Sequence, residues 1–221
     1  MLRLALAAFA ISFVADDPKR FDLTVREEIF AGFRGDAEAM ARGVAACDAA
    51  LAKNPKHAEA LVWRGAARVF QSGQLFNQGK QADGLKLWTA GHKDMDDAIA
   101  LEPKNVGVRI PRAAVLVPAS RAAPKAMAEP LWKKALEDFQ TIEAIQKEVL
   151  DKIGTHSLGE LRMGQADLYR MMGQLDKSKE QLELVKKALP DSKYAKRADE
   201  WLAAKADAKL AHNCIGCHTK E

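Results

Sequence analysis

The chain has 221 residues, 48% of them hydrophobic and 29% charged, with a formal net charge of +4. That supplies a core for one or two packed domains, while so modest a charge, with no dense Lys/Arg cluster, argues against nucleic acid as the main partner. Aromatics make up only 6% and β-branched runs are short, which predicts an all-α fold.

The first predicted element is an export signal. Arg3 gives a minimal positive start, "LALAAFAISFVA" (4–15) an apolar stretch, and "DDPKR" opens the polar chain. The apolar stretch is too short to cross a bilayer, which takes about 20 residues. Residues 1–15 are expected to be a signal peptide cleaved after Ala15, although Phe13 fits the small-residue rule poorly. A buried N-terminal helix is the competing reading. Export implies a periplasmic or otherwise extracytoplasmic protein, with no transmembrane segment in the mature chain. Free thiols are unusual in such a compartment, and three cysteines cannot all pair with one another. Cys47, in "GVAACDAALAKNP", falls on the apolar face of a helix as a small buried hydrophobe. Cys214 and Cys217 remain as a matched pair.

Helix pairs come next. "DAALAKNPKHAEALVWRGAARVF" (48–70) reads as a helix, a Pro-containing turn and a second helix, with Ala50, Leu51 and Pro55 ahead of Leu61 and Gly65. The cadence returns in "DDAIALEPKN" (96–105), through Ala98, Ile99, Leu101 and Pro103, and more weakly in "LELVKKALPDS" (182–192), through Val185 and Pro190. "GQADLYRMMGQLDKSKEQLELV" (164–185) reads as a whole repeat. In it Ala166 and Tyr169 lie on the first helix, Gly173 in the turn, and Ser178 and Leu182 on the second.

These junctions resemble those of tetratricopeptide repeats, in which proline ends the second helix of each pair. The resemblance covers residues 22–202 and implies a helix-pair solenoid whose concave surface binds a protein partner, a scaffold rather than an enzyme. A generic stack of α-hairpins predicts nearly the same architecture. The spacing is irregular: Pro55 and Pro103 stand 48 residues apart, against 34 in the standard repeat. The extra length falls around 71–91, where glycines predict a longer turn or lengthened helices. Four prolines, Pro111, Pro118, Pro124 and Pro130, predict a short helix and then an irregular Pro-rich loop over 111–130. Apolar residues from Leu131 to Ile153 recur at helical spacing up to Gly154. A last helix over 192–211 buries Tyr194, Ala198, Trp201 and Leu202 and runs straight into the tail. Trp63, Trp88, Trp132 and Trp201 are expected in the core rather than on a binding surface. His57 and His92 read as solvated residues at helix ends. No Ser/His/Asp grouping or phosphate loop stands out.

The third region, 203–221, ends in "AHNCIGCHTKE". Cys214, Cys217 and His218 form C-x-x-C-H, similar to the attachment motif of c-type cytochromes. Thiols three residues apart on a helical turn face the same way and can form two thioethers with one porphyrin. His218 then follows as the proximal iron ligand. The resemblance implies one covalent haem c, electron transfer, and a redox protein as partner. It covers five residues, and no cytochrome domain is evident around them. Other readings compete. His212, Cys214, Cys217 and His218 could hold zinc, though they are crowded for a structural site. The two thiols could form a disulfide, or the tail could be inert. Candidates for a distal iron ligand are Met163, Met171, Met172 and His156. The haem would lean on the last repeat, on residues 114–124 or on a partner.

Overall fold

The computed structural model describes residues 20–205 and 207–210. Among them run nine α-helices and one 3₁₀ turn, in the order α1 (Asp22–Phe33), α2 (Ala37–Lys53), α3 (Ala58–Asn77), α4 (Gln81–Leu101), α5 (Val106–Ala122), α6 (Lys125–Ile145), the 3₁₀ turn Lys147–Val149, α7 (Thr155–Met171), α8 (Leu175–Ala188) and α9 (Lys193–Ala203). Consecutive helices pack as hairpins, α1 with α2, α3 with α4, α5 with α6 and α7 with α8. Adjacent hairpins stack, and α9 lies against α8. The fold is an all-α helix-pair solenoid.

Local chemistry sets the boundaries. Helices α2, α4 and α8 end two residues before Pro55, Pro103 and Pro190, because the residue preceding a proline is pushed out of the helical region. Side chains cap several starts: Asp36 accepts from Ala39 N at 2.9 Å, Asn105 from Gly107 N at 2.7 Å, and Ser192 from Ala195 N at 3.0 Å. His57 does the same for α3, its Nδ1 accepting from Ala60 N. The expected extra length over 71–91 is taken up by long helices, α3 and α4 having 20 and 21 residues. These two cross closely through glycines. A Cβ on Gly65 would stand 2.7 Å from the Gly91 carbonyl oxygen, and one on Gly91 would stand 2.8 Å from that of Gly65.

Three boundaries differ from expectation. The Pro-rich loop over 111–130 does not exist: Pro111 and Pro118 lie inside α5 and Pro130 inside α6, with the break confined to Ala123 and Pro124. Helix α6 stops at Ile145 rather than near Gly154, because the chain turns there and packs Leu150 and Ile153 onto the second core. Helix α9 stops at Ala203 rather than running to residue 211. Arg170 takes up the carbonyls of Lys205 and Ala208 that a continuing helix would have satisfied internally.

The buried apolar residues form two clusters. The larger runs through the first three hairpins, from Val25 and Ile29 through Cys47 and Trp63 to Leu116 and Leu131. The smaller joins α7, α8 and α9 around Met163, Leu182, Tyr194 and Trp201. Trp63 and Trp201 are buried, while Trp88 and Trp132 are half-buried against the larger core, so all four tryptophans pack as expected. Cys47 is fully buried, and burial pushes its thiol up to about 12. It is an inert core residue.

Candidate functional site: a groove along the first helices

The first helix of every hairpin contributes to one groove of about 420 Å3. Its walls are apolar: Phe30 from α1, Trp63 from α3, Ile110 and Val117 from α5, Ile142 from the end of α6 and Leu161 from α7. Ile110 is 48% exposed there, a large apolar side chain left toward solvent in a concave setting. Phe30 holds Trp63 edge-on, with ring centroids 5.8 Å apart.

Two polar atoms of α3 are buried and unpartnered, and only the first belongs to a residue that lines the groove. The Trp63 Nε1–H is buried and has no hydrogen-bond partner. One turn earlier on the same helix, Glu59 Oε2 is buried and also unpartnered. Its other oxygen lies near Gly107, whose added Cβ it would meet at 3.0 Å. Leaving such groups unpaired costs about 1–3 kcal/mol each. Pro111 and Pro118 add to this. They lie seven residues apart on the groove face of α5, and having no N–H they return no hydrogen bond to the Gly107 and Ala114 carbonyls. Apolar walls between charged ends suit an extended peptide segment.

The rim is charged. At one end Asp22 accepts from Arg20 Nη2 at 2.8 Å and from Arg26 Nη1 at 3.4 Å. At the other, Tyr194 donates to Glu160 Oε1 at 2.8 Å, and its hydroxyl lies 2.9 Å from His156 Nδ1.

The predicted ligands distribute as follows. Cys214, Cys217, His218 and His212 lie outside the described residues. His156 is on the groove rim. Met163 is fully buried in the smaller core. Met171 and Met172 are half-buried and share a second pocket, of about 400 Å3, with Trp132, Lys125, Glu129 and Lys133. There the Trp132 Nε1–H is buried without a partner, and the Met172 sulfur accepts from Gln174 Nε2 at 3.9 Å. Among the described residues no three His, Cys, Asp or Glu side chains gather as a metal site, and no helix is long and apolar enough to cross a membrane. His92 is not at a helix end. It sits within α4, half-buried against Trp88 at 4.4 Å between ring centroids, with Nε2 unpartnered.

Sequence reasoning implied a concave binding surface but not the residues that line this groove. Its signal was present in the seven-residue spacing of Pro111 and Pro118, which places both on one face of a helix.

No family model matches the chain, and no curated protein matches it. Among solved structures it is similar to a tetratricopeptide-repeat protein of Thermus thermophilus. The match is at 17% identity with a TM-score of 0.40, covering 84% of this chain and 100% of that one. The helix-pair architecture described above rests on the packing of this chain's own helices.

Proposed function

We propose that the protein is an exported helix-pair scaffold that seats a protein partner in its groove and carries one covalent haem c on its C-terminal tail. In this reading Cys214 and Cys217 form the thioethers, His218 is the proximal ligand, and the work is electron transfer or docking of a redox partner. The observation that carries the scaffold half is the groove, apolar along its walls from Phe30 and Trp63 to Ile110 and Leu161 and charged at its ends. The haem half rests on the C-x-x-C-H spacing of Cys214, Cys217 and His218. When bound, a haem would supply a one-electron carrier.

The test is the visible spectrum and intact mass of protein exported from a host that attaches c-type haem. A sharp α-band on reduction and the added mass of one haem are expected, both lost in Cys214→Ala with Cys217→Ala. A colourless protein of unmodified mass would reject the haem half. A second reading, a haem-free exported adaptor, is supported by one observation: among the described residues, those that line the groove all belong to 20–164.

A further inference from the structure

The charges of the groove are sorted along its length. Among the described residues, the lysines and arginines that line it are Arg20, just before α1, and Arg26 within it. Both lean on one carboxylate: Arg20 Nη2 lies 2.8 Å and Arg26 Nη1 3.4 Å from Asp22 Oδ2. Asp22 is buried beneath them, while the Arg20 side chain is 72% exposed. Arg26 also reaches the exposed Glu27 at 3.3 Å, outside the groove lining. The surface offered to an occupant at this end is guanidinium.

The α7 end carries the opposite sign. Glu160 lines the groove one turn after His156, and Tyr194 positions its carboxylate. The Tyr194 hydroxyl donates to Glu160 Oε1 at 2.8 Å and lies 2.9 Å from His156 Nδ1. The tyrosine ring is buried against Gly159, where a Cβ would stand 2.4 Å from it, so the carboxylate is held from α9. Between the two ends the walls are apolar. The Gln146 amide and the Ser157 hydroxyl line the groove as well, donors and acceptors of the kind a peptide backbone uses.

We infer that the groove seats an extended peptide segment that is apolar through its middle, acidic where it meets Arg20 and Arg26, and basic where it meets Glu160. This rests on the groove being the partner's seat, as proposed above, and adds the partner's charge order. Opposite charges at the two ends fix the direction in which a segment lies and exclude segments of a single sign. The test is peptide display on the full-length protein. Central positions are randomised among Leu, Ile, Val and Phe, and the two end positions among Asp, Asn and Lys. Segments with Asp at one end and Lys at the other should be enriched. By fluorescence anisotropy they should bind about tenfold more tightly than Asn-ended segments with the same centre, the scale of an exposed ion pair at each end. That margin should shrink in about 1 M salt. Arg26→Glu, with its helical circular dichroism unchanged, should switch the selection to Lys at both ends. Ile110→Glu should abolish binding of every segment. Equal enrichment of Asn-ended segments, or an unchanged selection in Arg26→Glu, overturns the charge order and leaves the groove reading intact. Binding that survives Ile110→Glu, or no enrichment of any segment, removes the groove reading and the charge order together.

Discussion

His92 shows how one side chain carries a pH dependence. Burial holds its pKa down to about 4 from an ordinary 6.5, Lys134 and Arg112 push the same way, and Asp96 opposes them. The folded protein therefore keeps a neutral imidazole where the unfolded chain would bind a proton. The contribution is fully present above pH 6.5 and is lost as pH falls from 6.5 toward 4. The loss should be about 1–2 kcal/mol, below the full thermodynamic value because solvent reaches part of the ring. Urea unfolding of the unaltered chain and of His92→Gln between about pH 4 and 7 checks this: the variant's stability should fall less steeply over that interval. Equal slopes would assign the dependence to other groups. A sequence alone hid this residue, because its helical position gives no hint that Trp88 and the next hairpin cover it.

At the scale of elements, the third hairpin is held by buried charge. Asp138 on α6 is fully buried and accepts from Arg109 Nη1 at 2.6 Å and from Arg112 Nε at 2.7 Å and Nη2 at 2.9 Å. Arg109 Nε also donates to the Pro103 carbonyl at 2.9 Å, fastening the α4–α5 turn to α6. Asp138→Asn should cost about 3–5 kcal/mol, since the buried Arg109 guanidinium loses its counter-charge and Arg112 keeps only Asp96, 3.0 Å away. Replacing all three side chains by apolar residues of similar size should recover most of that loss. Chemical denaturation of the two variants measures both, and a cost under about 1 kcal/mol for Asp138→Asn would refute the account. The prolines carry the lesson about legibility. Pro55, Pro103 and Pro190 mark helix ends in the sequence and in the structure, because each follows a completed apolar stripe. Pro111, Pro118 and Pro130 look alike in the sequence but sit inside helices. There the stripe continues through them: Val108, Val115 and Leu116 are buried on both sides of Pro111, and Leu131 and Ala135 follow Pro130. Core burial outweighs the lost hydrogen bonds. The groove was illegible for the same reason, since it depends on prolines that act as a surface rather than as breaks.

For the whole molecule, the two cores predict uneven stability. The cluster under α7, α8 and α9 is the smaller, and α7 joins the rest through α6 and through Leu168, which belongs to the larger core. Native-state hydrogen exchange should find amides of α8 and α9 opening at a free energy at least about 1 kcal/mol below those of α3 and α4. Identical opening energies throughout would show a single cooperative unit. The organisation into helix pairs was readable in the sequence because each junction repeats the same chemistry. The division into two cores was not, since it follows from where α6 stops and the chain turns at Gly154.

Helix α7 also acts as a ruler. Leu161 on its N-terminal half and Gly164 just past its middle face the groove, and Arg170 in its last turn holds the Lys205 carbonyl. Its 17 residues span about 25 Å. The groove's lining ends at Gly164, six residues or about 9 Å short of Arg170, so an occupant of the groove needs only that much overhang to meet what Arg170 holds. A short overhang past Gly164 would bring such a visitor against that end of the molecule, and one that stops at Gly164 would leave it untouched.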